Sequence, residues 1–147
     1  MGLNKSFTTD QFVAVADAAT YTVLAADSGK IHVMPGLTAD CLITLPTAER
    51  GLEYTFVYKG VAADAQDWNI DAAVAANFML GGVVHLDTDA GSAGDEVVPV
   101  APNGSTNAIL NVLVPDVGTR VNLFCDGTNW IVSGFVVAAT APTFADT

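Results

Sequence analysis

The stretch of sequence that decides the fold runs over residues 121–137. It reads Val121-Asn122-Leu123-Phe124-Cys125, then Asp126-Gly127-Thr128-Asn129, then Trp130-Ile131-Val132-Ser133-Gly134-Phe135-Val136-Val137. β-Branched and aromatic residues dominate both ends of the stretch, and the four residues between them have the Asp, Gly and Asn content of a tight turn. The pattern predicts two antiparallel strands joined as a β-hairpin.

Short segments of the same kind recur along the rest of the chain, separated by Gly, Pro, Asn and Asp. Residues 78–86 predict a second hairpin that turns at Gly81 and Gly82, and alanine content favours a helical turn at residues 72–77. The alternation of large and smaller residues in 54–58 is typical of a strand with one buried face. Further strands are predicted at residues 21–24, 31–34, 41–45, 107–114 and 119–125.

Strands at intervals of about ten residues, with no long amphipathic helix, predict one all-β domain. We expect a single-domain antiparallel β-barrel or β-sandwich with residues 10–137 as its core. Residues 1–9 and 138–147 differ from the middle of the chain, and we expect extended terminal arms there that pack on a neighbouring subunit. Frayed termini are the alternative for both segments.

Charge and composition narrow the range of partners. The chain has 147 residues, 5 basic and 16 acidic, so that its net charge is −11. Binding to nucleic acid or to an anionic membrane needs a basic surface, so we expect neither partner. Hydrophobic residues make up 51% of the chain and charged residues only 14%. This composition favours a homo-oligomer with apolar interfaces.

The side chains that usually carry catalysis are few. The chain has two histidines, His32 and His85, and two cysteines, Cys41 and Cys125. We find no nucleophile motif and no clustered metal ligands, and therefore expect no enzyme activity, no cofactor and no metal site. The N-terminus does not resemble an export signal, so we expect both cysteines to be reduced, with a disulfide between them as the alternative.

Residues 87–96 form an acidic, glycine-containing segment. Several carboxylates in one flexible loop could bind a cation such as calcium. The segment departs from the helix-loop-helix calcium pattern, because Gly91 occupies the third ligand place and Val98 the twelfth position. A solvated surface loop is the alternative.

Two tryptophans could take part in recognition. Trp68 lies between Asp67 and Asn69 in a segment that reads as a polar loop, and we predict that its ring is exposed. An exposed ring could stack on a sugar; the alternatives are covering one end of a barrel or forming a subunit contact. Trp130 is interpreted as a core or interface residue of the last hairpin.

Four motifs occur in order along residues 25–30, 43–46, 51–56 and 126–130. They read Ala-Ala-Asp-Ser-Gly-Lys, Ile-Thr-Leu-Pro, Gly-Leu-Glu-Tyr-Thr-Phe and Asp-Gly-Thr-Asn-Trp, and Gly134-Phe135 follows the last of them. In their order and spacing, over residues 20–137, the chain resembles a group of small structural proteins of tailed bacteriophages, the capsid decoration or cement proteins. Residues 72–105 depart from the pattern of that group.

The resemblance implies a small β-rich protein, often a trimer, made in the host cytoplasm and bound to the outside of the phage head. Its partners would be further copies of itself and the major capsid protein, whose subunits it would clamp. The terminal arms supply the candidate capsid contacts, which are Lys5, Phe7, Pro142 and Phe144. The alternative function is a receptor- or glycan-binding module of a tail fibre or spike, with Trp68 as its aromatic platform.

Overall fold

The computed structural model describes residues 11–60, 65–89 and 97–147. Strands dominate these residues and form two sheets around one hydrophobic core, so the prediction of a single all-β domain is confirmed. A short 3-10 helix, Ala25–Asp27, follows the second strand. In the described ranges no helix has the length and apolar character needed to cross a membrane.

The described residues form thirteen strands. The larger sheet has the order β1-β3-β5-β11-β12-β8-β9, with β7 also paired to β12, and the smaller sheet has the order β13-β10-β6-β4-β2. The strands are β1 (Phe12–Ala14), β2 (Thr20–Thr22), β3 (Ile31–Met34), β4 (Cys41–Thr44), β5 (Glu53–Tyr58), β6 (Trp68–Asp71), β7 (Met79–Gly81), β8 (Val83–Asp87), β9 (Val97–Val100), β10 (Ile109–Val112), β11 (Arg120–Cys125), β12 (Trp130–Ala138) and β13 (Thr143–Ala145).

The first six strands alternate between the two sheets. As a result, β1, β3 and β5 run parallel in the larger sheet, and β2, β4 and β6 run parallel in the smaller one. Parallel neighbours need a crossover connection, and here each crossover passes through a strand of the opposite sheet. The architecture is therefore a sandwich of two mixed sheets with open edges, in place of a wholly antiparallel sandwich or a closed barrel.

The hairpin of β11 and β12 forms as predicted. Its antiparallel register extends from Arg120 opposite Phe135 to Cys125 opposite Trp130. The Asp126 carboxylate closes the turn by accepting the backbone N–H groups at residues 128 and 129, each at 2.8 Å. These two hydrogen bonds hold the pKa of Asp126 below its usual value, because they stabilise the charged carboxylate.

The second predicted hairpin, over residues 78–86, is wrong. Both β7 and β8 run parallel to β12, so the chain keeps its direction across Gly81 and Gly82. Gly81 has a φ of +85°, and the Gly82 N–H donates to the carbonyl oxygen of Val132 at 3.0 Å. The two glycines therefore interrupt one extended path beside β12 and do not reverse it.

The helical turn predicted at residues 72–77 is also wrong, since this segment forms turns and bends. The Asp71 carboxylate accepts the N–H of Ala73 at 2.8 Å, and Ala73 adopts a φ of +66°. A left-handed residue and a competing side-chain acceptor at the start of the segment override the helix propensity of the alanines.

The prediction of an exposed Trp68 is wrong. Trp68 begins β6, a central strand of the smaller sheet between β4 and β10, and its side chain is fully buried. Its ring lies 6.5 Å from that of Tyr58 and 6.3 Å from that of Phe56, measured between centroids. The polar neighbours of Trp68 suggested a loop, but they point to the opposite face of a strand. Trp130 is a core residue, as predicted.

The C-terminal segment lies on its own domain, in contrast to the arm expected at residues 138–147. β13 pairs antiparallel with β10, which makes it an edge strand of the smaller sheet. Pro142 is buried, and Phe144 packs against the core. The expected N-terminal arm, residues 1–9, lies outside the described residues, and so do its candidate contacts Lys5 and Phe7.

Gly134 gives a test of the β11–β12 pairing. A Cβ atom at this position would lie 2.2 Å from the Arg120 carbonyl oxygen, and the Gly134 φ is +130°. The oxygen belongs to a paired strand, so we expect Gly134→Ala to lower the free energy of unfolding by about 3 kcal/mol. Gly104, with a φ of +79° and open space around it, is the control: Gly104→Ala should cost about 1 kcal/mol. Urea unfolding measures both, and equal losses would contradict the assigned pairing.

Candidate functional site: the outer face of the larger sheet

The outer face of the larger sheet is apolar and exposed. Alternate residues of each strand point away from the core, and on this sheet most of them are large hydrophobic side chains. Single exposed hydrophobic residues are ordinary, but a contiguous set on one sheet is typical of an interaction site. We call this surface the apolar face; its hydrophobic members include Phe12, Ile31, Val33, Val57, Val84, Val97, Phe124, Ile131 and Phe135.

Strand register makes the apolar face continuous. One line of neighbours, the Arg120 row, crosses five adjacent strands. A second line, the Glu53 row, crosses three strands on the other side of the face. The Arg120 row consists of Val33, Val57, Arg120, Phe135 and Val84, and the Glu53 row consists of Glu53, Phe124 and Ile131.

Between these two rows runs a line of small polar side chains, the polar row, which consists of Thr55, Asn122 and Ser133. The Thr55 hydroxyl donates to Asn122 Oδ1 at 3.0 Å, and Arg120 Nε donates to the same oxygen at 3.3 Å. The apolar face carries a groove of about 280 Å³, which is lined by the polar row, by the Glu53 row and by Gly29 and Lys30 just before β3. Phe124 contributes to the lining of this groove.

The outer face of the smaller sheet has a different character. Its outward positions carry mainly Thr, Asn and Asp, for example Asn69 opposite Asn111 and Thr44 opposite Asp71. Leu42 is the large hydrophobic residue exposed there, with 39% of its surface accessible. The apolar character is therefore specific to the larger sheet and does not follow from the hydrophobic composition of the chain.

The apolar face also carries little charge. The chain has a net charge of −11, yet among the outward positions in the described strands of the larger sheet we find one acid, Glu53, and one base, Arg120. Lys30, which lines the groove from the edge of the sheet, is paired with Asp27 at 2.8 Å. A surface without excess charge in a strongly acidic chain can meet another acidic surface with little repulsion.

Three of the four sequence motifs meet at one end of the sandwich. The Ser28 hydroxyl accepts the N–H of Glu53 at 3.0 Å, and the Gly29 N–H donates to the Glu53 carbonyl at 2.8 Å. The Tyr54 and Trp130 rings lie 5.9 Å apart, which joins the third and fourth motifs. These motif residues bind one another within the sandwich and stabilise its fold, and Glu53 and Thr55 of the third motif also lie on the apolar face.

His32 is a fully buried titratable group. Its Nδ1 lies 2.9 Å from the Tyr21 hydroxyl, and its Nε2 has no partner among the described residues. The rings of Tyr54 and Phe56 pack against it, at centroid distances of 5.7 and 5.0 Å. Burial lowers the His32 pKa, against the attraction of Asp27, because the charged imidazolium is poorly solvated there. Burial raises the pKa of the Tyr54 hydroxyl to about 12, because here the charged form is the phenolate.

The other candidate reactive groups are in the core as well. His85 is buried, and its Nε2–H donates to the Ala138 carbonyl oxygen at 2.9 Å. Cys41 and Cys125 are free and buried, which confirms the prediction of unpaired thiols. Burial raises the pKa of Cys41, so its thiol is less readily ionised than one in water.

The acidic segment 87–96 is described only in part, because residues 90–96 lie outside the described ranges. The Asp87 carboxylate accepts the N–H of Asp89 at 2.8 Å, and the Thr88 hydroxyl donates to Asp116 at 2.8 Å. Within the described ranges, no cluster of three or more His, Cys, Asp or Glu residues is placed to hold a metal ion. Cation binding by this segment stays a prediction.

Comparison of the sequence with protein-family models gave no match, and comparison with curated proteins gave none either. Functional inference therefore depends on the geometry of the apolar face and on the resemblance of the four motifs.

The sequence contained a signal for the apolar face that the analysis of single motifs missed. In the predicted hairpin, Phe124, Ile131 and Phe135 alternate with residues that are themselves apolar, such as Leu123 and Val132. A strand that is apolar on both faces is buried on both faces in most sheets. Here one of those faces is open in the single chain.

Burial of His32 predicts acid sensitivity of the fold. The folded-state pKa lies below the ordinary value of 6.5, so the unfolded chain binds more protons and stability rises with pH. We expect the free energy of unfolding to fall between pH 7 and pH 5.5, as the unfolded chain takes up a proton that buried His32 does not. His32→Phe should abolish this loss, as measured by urea unfolding at both pH values.

Tyr21→Phe is the control for this prediction, because it removes the hydroxyl beside Nδ1 and keeps the buried imidazole. This variant should retain the decline in stability towards pH 5.5. If His32→Phe showed the same decline as the unaltered chain, His32 would not be its source.

Proposed function

We propose that the protein is a capsid decoration protein of a tailed bacteriophage. It binds the outer surface of the head as a homo-oligomer, a trimer by resemblance, and stabilises contacts between major capsid protein subunits. The observation that carries the proposal is the apolar face, a contiguous interaction surface on a domain whose two histidines and two cysteines lie in the core.

The sequence motifs support this class of structural protein. Hydrogen bonds and ring contacts join three of the four motifs at one end of the sandwich, so these motifs act together in its fold. A β domain of this kind stabilises a head by mass action, since many copies that bind only the expanded lattice lower its free energy together. The charge of −11 favours solubility before binding.

The alternative function is a receptor- or glycan-binding module of a tail fibre or spike. The aromatic platform expected for it was Trp68. This side chain is fully buried, so a glycan-binding module would have to use another ring, such as Phe124 beside the groove. We therefore place the decoration function first.

Of the four candidate capsid contacts, the two C-terminal ones pack on their own chain. Pro142 is buried and Phe144 packs on the core of its own chain, so neither presents most of its surface to a capsid. Lys5 and Phe7 stay candidates. The positive charge of Lys5 would suit contact with an acidic surface of the capsid.

Co-sedimentation with phage heads tests the proposed function. Purified protein is mixed with expanded heads, stripped of accessory proteins, of the phage that encodes the chain. We expect saturable binding at a fixed number of copies per head, and weaker binding after deletion of residues 1–9. Unexpanded heads are the control and should bind less, because the proposed site is completed by expansion. Protein that stays in the supernatant with expanded heads would contradict the proposal.

A further inference from the structure

We infer that the apolar face is the surface through which copies of this chain bind one another. The homo-oligomer is part of the proposed function, and the apolar face would be its interface. In all other respects, self-association through this face is independent of the proposed function. Its occupant is a second copy of the chain, placed with its own apolar face against the first.

Exposure of the face argues for a partner that is present from synthesis onward. Phe12 is 54% exposed, Phe124 44% and Ile131 40% in the single chain. Such a surface in free solution promotes non-specific association, so a soluble protein keeps it covered. A second copy is available at the same concentration as the first, whereas a lattice that assembles later would leave the face open until then.

Charge argues for the same partner. Two copies, each with a net charge of −11, repel one another over most of their surfaces. The apolar face is balanced, because it carries Glu53 and Arg120 on the two rows that flank the polar row. When the Glu53 row of one copy meets the Arg120 row of the next, opposite charges approach each other. This arrangement is possible both in a two-fold pair and in a closed three-fold ring.

Shape and hydrogen bonding also suit burial of the face. The polar row and the Glu53 row line the groove, and its volume of about 280 Å³ can receive a large side chain from a neighbouring copy. Asn122 Oδ1 already accepts hydrogen bonds from Thr55 and Arg120 within its own chain. Covering that oxygen therefore does not leave it without a partner, which lowers the cost of desolvating this atom.

The test compares two matched substitutions. Ile131 on the apolar face and Leu42 on the smaller sheet are almost equally exposed, at 40% and 39%. We expect Ile131→Lys to raise the dissociation constant of the oligomer by about 30-fold or more, because it buries a charge in the interface. Leu42→Lys should leave the mass of the oligomer unchanged. Light scattering after size-exclusion chromatography gives the mass, and circular dichroism shows whether each variant is folded.

A cross-linking experiment decides the question if Ile131→Lys does not fold. Ser133, in the polar row, and Thr143, on the outer face of the smaller sheet, are both exposed. Ser133→Cys should form a covalent dimer under mild oxidation, and Thr143→Cys should not.

Two results would overturn the inference. One is an unaltered chain that is monomeric at micromolar concentration; the other is an oligomer that survives Ile131→Lys while Ser133→Cys fails to cross-link. Neither measurement contains phage heads, so failure of this inference is distinct from failure of the proposed function. An oligomer that forms through the apolar face but ignores expanded heads would refute only the latter.

Discussion

Strand β11 is the element on which the larger sheet depends, because it pairs antiparallel with β5 on one side and with β12 on the other. β5 carries the parallel strands β3 and β1, and β12 carries β8 and β9. The register of β11 with β12 is closed by the Asp126 turn. Without this double pairing the two halves of the sheet would separate, and the apolar face would be divided between them.

Strand β11 contributes side chains to both faces of the larger sheet. Its inward residues, such as Leu123, complete the core, and its outward residues Arg120, Asn122 and Phe124 contribute to all three rows of the apolar face. The sequence motifs lie beside this strand and bind one another at one end of it. The third motif contributes to both the core and the apolar face, because Tyr54 is buried in the core while Glu53 and Thr55 lie on the apolar face.

Local signals predicted the β11–β12 hairpin, because turn chemistry and flanking strands lie within seventeen residues. The parallel pairs were not predictable in this way, since Ile31 and Thr55 pair across 24 positions and turn residues between them, such as Pro35 and Gly36, connect strands of opposite sheets. The sequence of β6 did contain a strand signal, because Trp68 and Ile70 alternate with polar residues. The same polar residues are typical of a loop, and the loop interpretation was preferred. The hairpin sequence indicated two apolar faces, but the extent of the apolar face came from the register, because its rows combine residues from strands distant in sequence.

The most direct test of the apolar face as a binding surface is hydroxyl-radical footprinting of the unaltered protein in solution. Each oxidation rate is divided by the rate of the same residue in the unfolded chain. Phe124 and Leu42 are exposed to similar extents in the single chain, at 44% and 39%. We expect Phe124 to be protected several-fold more than Leu42, because a second copy covers it. Equal normalised rates for the two residues would contradict it.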